Sequence, residues 1–175
     1  MPYTLTLKPL AGFLLFAAAL GSIACSKEEP TKSLPAPPSP QSAAYVTASD
    51  QIKVTYRLLE GPKSMPVGTE ATFRFEATNA GSGTWPAGGS LPLRFGYHWS
   101  DPVHTGSWNS IVWDDSNRAV LTVDTPPSAT AALALKVKAP AKAGNGFKLI
   151  IAPLLEGPGG GWTTNIPLVL NVDLK

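Results

Sequence analysis

An immunoglobulin-like antiparallel β-sandwich of about seven to eight strands is the all-β fold this chain predicts for residues 45–175. Three observations predict it. Apolar residues recur with a period of two rather than 3.6 in segment after segment. Turn signals separate those segments at short intervals. The 16 glycines and 18 prolines in 175 residues leave no stretch after the apolar start of the chain free to form a helix of ordinary length.

Taken in chain order, Ile52, Val54, Tyr56 and Leu58 alternate with Lys53, Thr55 and Arg57, giving a first strand with one apolar and one wet face. Phe73, Phe75 and Ala77 alternate with Thr72, Arg74, Glu76 and Thr78 in the same way. Leu93 to Trp99, Ser110 to Trp113 and Ala119 to Val123 are the next three candidates. Leu133, Leu135 and Val137 alternate with Ala134, Lys136 and Lys138, Phe147 to Leu155 follows, and Ile166, Leu168, Leu170 and Val172 form the inward set of the last strand. The turns between them fall at Gly61-Pro62, Pro66-Val67-Gly68, Asn79-Ala80-Gly81, Ser116-Asn117, Pro126-Pro127, Gly144-Asn145-Gly146 and Gly157 to Gly161. Short strands with one apolar face bury it by pairing two sheets. There is no internal repeat.

The first 44 residues have a different composition. Met1 to Lys8 carries one positive charge, and Leu10 to Leu20 reads LAGFLLFAAAL, long enough for the core of a signal peptide and too short to span a bilayer. Gly21-Ser22-Ile23-Ala24 then leads to Cys25, the only cysteine. This junction resembles the lipobox of bacterial lipoproteins, which implies cleavage after residue 24 and acylation of Cys25. Ser22 stands where that box usually has Leu, and Ser22-Ile23-Ala24 also fits an ordinary small-x-small cleavage site, which would leave a free periplasmic protein with an idle thiol. Ser26 resembles the outer-membrane sorting class, so the expected location is the outer membrane, lipid-anchored and facing the periplasm. Residues 25–44 form a Pro/Ser-rich tether with Leu34 its only large apolar side chain; such a segment cannot bury enough surface to fold, and it reaches roughly 50 Å when extended. The domain boundaries are therefore 1–24, 25–44 and 45–175.

Within the domain, Thr78-Asn79-Ala80-Gly81-Ser82-Gly83-Thr84-Trp85-Pro86 resembles the TNTGxxTWP signature of the Ig-like four-tryptophan domain of autophagy receptors and bacterial envelope proteins. Further marks of the bacterial branch follow in order: Tyr97-His98-Trp99, Ala139-Pro140 with Gly144, and Glu156-Gly157 with Trp162. Two positions depart from the pattern. Pro158 to Gly161 lengthens the segment before Trp162, and Pro127-Ser128 replaces a Pro-Gly pair. The resemblance spans Val67 to Trp162 and implies an Ig-like fold in the cell envelope.

Charge and titratable groups exclude several function classes. Loss of Lys8 with the leader leaves 13 of the 14 basic residues against 12 acidic ones, and Lys53, Arg57, Arg74, Arg94, Lys136, Lys138 and Lys148 are scattered singly, so no nucleic-acid partner is expected. His98, Asp101 and His104 have metal-ligand residue types, but read better as a strand residue, a turn and a loop; Asp114-Asp115-Ser116-Asn117 reads as an Asx-rich turn rather than a calcium loop. No catalytic constellation, metal site or cofactor is expected, and the chain reads as a non-enzyme. Of the five tryptophans, Trp85, Trp99 and Trp162 belong to the marks above, whereas Trp108 and Trp113 lie among polar residues. The expected contact surface comprises Trp99, Asp101, His104, Trp108, Trp113 and Asp114, and its expected ligand is an envelope glycan or an envelope protein. The alternatives are rings that simply close the end of the sandwich, and a structural spacer with no tight ligand.

Overall fold

The structure, a computed structural model, describes residues 43–102, 117–163 and 166–175, together with the backbone of residues 111–114. Cys25, the leader and the tether up to residue 42 lie outside the described residues. Among the described residues there are ten strands: β1 (Val54–Glu60), β2 (Ser64–Met65), β3 (Glu70–Asn79), β4 (Leu93–Ser100), β5 (Ile111–Asp114), β6 (Ala119–Val120), β7 (Thr130–Lys138), β8 (Gly144–Leu155), β9 (Gly161–Trp162) and β10 (Leu168–Leu174). The one helical element among the described residues is a single 3-10 turn at Ser49–Gln51.

The strands form two sheets, one ordered β1-β3-β7 and the other β2-β10-β8-β4-β5, with β6 on β4 and β9 on β8. This is an immunoglobulin-like sandwich: the first, second and fourth long strands (β1, β3 and β7) make one sheet, and β4, β8 and β10 make the body of the other. Among these ten strands every pairing is antiparallel except that of β2 with β10, where Ser64 and Met65 lie beside Asp173 and Leu174. The parallel pair exists because the chain changes sheets between β1 and β2. Gly61 permits the crossing, since a Cβ there would run into the Phe73 ring.

The period-two pattern places the core. Phe73, Phe75 and Ala77 of β3 and Leu133, Leu135 and Val137 of β7 are buried, opposite Leu93, Phe95, Tyr97 and Trp99 of β4 and Phe147, Leu149 and Ile151 of β8. Rings connect the layers. Phe95 lies 5.8 Å from Phe75, 6.2 Å from Tyr56 and 6.0 Å from Trp85, each edge-on, the arrangement the ring quadrupole favours. Burial raises the pKa of the Tyr56 hydroxyl, which therefore stays protonated.

Two readings of the alternation are corrected. Leu58, expected on the inward face of the first strand, is 41% exposed, because β1 is leaving its sheet at that end and has only β3 beside it. β4 and β8 are buried on both faces rather than one, since they are the central strands of the larger sheet. His98, Ile150, Ala152 and Leu154 lie on the side opposite Tyr97, Phe95 and Ile151, and are buried there as a second, smaller layer. Trp162 covers part of it. Its ring meets the His98 ring at a tilt, 4.2 Å between centroids, and lies over Gly96, where an added Cβ would come within 2.5 Å of the indole. Arg118 lies over that indole at 5.2 Å, also close to Gly96, and bonds Glu156 at 3.1 Å. The longer segment before Trp162 thus forms the hairpin that lays this ring on the sheet. Pro153, which has no N–H to give, falls between the last β8 residue paired with β10 (Ile151) and the first paired with β9 (Leu154).

The second departure from the four-tryptophan pattern also has a physical outcome. Ala129 N–H donates to Pro126 O at 3.1 Å, closing a turn in which Ser128 has φ 67. Proline followed by a left-handed residue is a type II turn, whose third position glycine occupies without strain. Ser128→Gly is therefore expected to stabilise the domain by about 0.5 to 1 kcal/mol, the left-handed strain removed less the freedom glycine adds to the unfolded chain. A denaturant midpoint unchanged or lowered in the variant would refute this.

Candidate functional site

The residues expected to form a contact surface are divided by the fold. Trp99 is corrected: it is fully buried, and its indole Nε1 donates to Lys138 O at 2.8 Å. Tyr97, two residues earlier on the same face, accepts from Lys138 N–H at 2.8 Å. Ala139 N–H turns instead to Thr69 O at 2.8 Å, so Lys138 presents its two backbone groups on the free side of β7, and both aromatic heads satisfy them. The Tyr-His-Trp run is therefore a clasp between the sheets, and Trp99 cannot meet a ligand. Asp101, just past β4, is mostly covered and ion-paired with Lys142, which also lies over the Phe147 ring. The β5 backbone brings Trp113 opposite Trp99 and Asp114 opposite His98. His104 and Trp108, with the side chains of Trp113 and Asp114, lie outside the described residues.

A different site is built where the described chain begins. Ala44 O accepts from Thr84 N–H at 2.9 Å, and Val46 N–H donates to Thr84 O at 3.0 Å, so the first residues run parallel to Thr84 as a short added strand. Trp85 and Thr125 exchange both backbone bonds, at 2.9 and 3.0 Å. These two ladders fix Tyr45 and Asp124 side by side. The Tyr45 hydroxyl donates to Asp124 Oδ2 at 2.5 Å, while Ala87 N–H donates to Oδ1 at 2.8 Å. The Ala87 amide, then the Tyr45 hydroxyl, hold the Asp124 carboxyl below its ordinary value; the bond to Asp124 and its charge hold the Tyr45 phenol above its own. One stays charged and the other neutral across the ordinary pH range. Pro86, the Gly88-Gly89-Ser90 loop and Leu91 complete a cleft of about 480 Å³, within the range of small-ligand sites.

Nothing in the local sequence announces this cleft. Tyr45 and Asp124 are 79 residues apart and belong to no mark of the four-tryptophan pattern. The available signal is indirect: Tyr45 is a large aromatic at the border between tether and domain, where no strand pattern requires one. Among the described residues no group of three His, Cys, Asp or Glu side chains could hold a metal ion, and no helix is long and apolar enough to cross a membrane.

No family model matches the chain, and no curated protein matches it. Among solved structures, a β-glucosidase from Listeria innocua in complex with isofagomine aligns at 10% identity and TM-score 0.41, over 70% of this chain. This chain spans only 16% of that enzyme. PapD-like domain 7 of human CEP192 aligns at 10% identity and TM-score 0.32, over 85% of this chain and 98% of that domain.

Proposed function

We propose that the chain is a lipid-anchored, non-catalytic recognition module of the cell envelope, held through Cys25 at the outer membrane on the Pro/Ser-rich tether, which binds an envelope glycan or a partner protein. The observation that carries this reading is the Tyr45–Asp124 cleft. A phenol ring 56% exposed, yet pinned through its hydroxyl, is a preorganised contact group rather than a packing residue. The sandwich does not need that ring in its core. The anchor rests on the leader and the lone cysteine at its end, because several acyl chains hold a protein at a membrane where one cannot.

Cys25→Ser is expected to move the protein from the membrane pellet to the soluble fraction. An intact mass showing an unmodified mature N-terminus in the wild type would defeat the anchor. The recognition half is tested with the same soluble variant on delipidated envelope fragments, which should retain it in a saturable way. Fragments that fail to retain it would leave a structural spacer as the better description.

A further inference from the structure

Resting on that reading, we propose that the Tyr45–Asp124 cleft is a saccharide subsite, taking a neutral or amino sugar ring against the Tyr45 face with its hydroxyls on Asp124. The geometry supplies what a pyranose needs. One face of such a ring is a patch of C–H groups that packs on an aromatic plane, and its edge is a row of hydroxyl donors. Tyr45 offers the plane, open to solvent and held in place by its own hydroxyl bond. Asp124 offers the edge: a carboxylate has about four acceptor positions, and the Tyr45 hydroxyl and the Ala87 amide use two.

The far wall agrees with this. Gly88, Gly89 and Ser90 line the cleft, and their N–H groups donate to nothing among the described residues. An added Cβ on Gly88 or Gly89 would meet nothing within 4 Å, so no side chain crowds this loop. Val46, Pro86 and Leu91 give the cleft an apolar part that suits the ring's C–H surface. Asp124 is the charged residue of the lining, so an acidic sugar is repelled. A peptide is the weaker fit, because its alternating backbone donors and acceptors are best met by a strand edge, whereas the cleft has one carboxylate beside one ring.

The test is calorimetric titration of the detergent-solubilised full chain with hexamers of N-acetylglucosamine, glucosamine and galacturonic acid. One of the first two is expected to bind one to one, and galacturonic acid to bind at least tenfold more weakly. Tyr45→Ala should weaken binding at least tenfold and Asp124→Asn at least fivefold, with melting temperatures close to wild type. Tyr45→Phe, which keeps the plane but loses the bond that pins it, should fall between wild type and Tyr45→Ala. Failure of every hexamer to bind would overturn the proposal, as would binding indifferent to Tyr45→Ala. A synthetic peptide of residues 26–44 binding with the same Tyr45 dependence would also overturn it, making the cleft a seat for the tether. Retention of Tyr45→Ala on envelope fragments as strongly as wild type removes the cleft and keeps the recognition module; loss of retention by wild type removes both.

Discussion

Trp85→Ala is expected to lower the unfolding free energy by about 3 to 5 kcal/mol, a large share of the 5 to 15 kcal/mol that holds an ordinary domain together. Trp85 is fully buried and meets Phe95 edge-on at 6.0 Å. The hole left by its removal cannot close easily. Phe95 is itself held against Phe75 and Tyr56, and both backbone bonds of Trp85 go to Thr125, so neither the rings nor the chain can move inward freely. The buried indole N–H finds no acceptor among the described residues. Trp85→Phe therefore loses ring area and sheds an unsatisfied donor together, and should cost only about 1 to 2 kcal/mol. Denaturant midpoints for the two variants check this. An alanine variant within about 1 kcal/mol of wild type would mean that the site collapses, contrary to the packing described. The Trp85–Thr125 ladder also carries Asp124, so the alanine variant should loosen the Tyr45 bond and weaken any ligand of the cleft.

The fold was legible in the sequence wherever a strand has one wet face. Phe73-Phe75-Ala77 and Leu133-Leu135-Val137 alternate because β3 and β7 face the core on one side only, and a period of two reports that directly. The signal weakens at β4 and β8, whose outer faces are covered as well. There His98, Ile150 and Ala152 are buried beside the core residues, and the alternation no longer separates inside from outside. Trp99 was placed on the contact surface with Trp113, yet it continues the core face of Phe95 and Tyr97; its indole reaches across to the Lys138 carbonyl, and no local pattern encodes a bond between residues 39 apart. The cleft was illegible for a related reason. Its two decisive side chains come from the start of the domain and from a segment between β6 and β7, and only the ladders through Thr84 and Thr125 bring them together.

Asn79→Ala is expected to cost about 3 kcal/mol, comparable to losing a core leucine although asparagine is polar. Asn79 ends β3 with no exposed surface. Its Nδ2 donates to Gly83 O at 2.8 Å and to Thr125 O at 2.9 Å, while Oδ1 accepts from Gly81 N–H at 3.0 Å. Its own backbone donates to Ala129 O at 2.9 Å and accepts from Ser128 N–H at 2.8 Å. One side chain thus joins the 80–84 turn to the segment that pairs with Trp85, beside the turn that opens β7. Truncation strips a partner from three backbone groups at once. Each such group costs about 1 to 3 kcal/mol when buried, and the losses share a neighbourhood, so the sum falls short of additive. Asn79→Asp keeps the shape and separates bonding from packing: an oxygen replaces Nδ2 and faces two carbonyl oxygens, so near neutral pH the aspartate variant should be at least as unstable as the alanine one. Thr125 O also accepts from Trp85 N–H, so Asn79→Ala and Trp85→Ala act on one ladder. Their double variant should depart from additivity by more than about 0.5 kcal/mol. An aspartate variant that melts like wild type, or a strictly additive pair, would show that Asn79 fills space rather than holding these segments together.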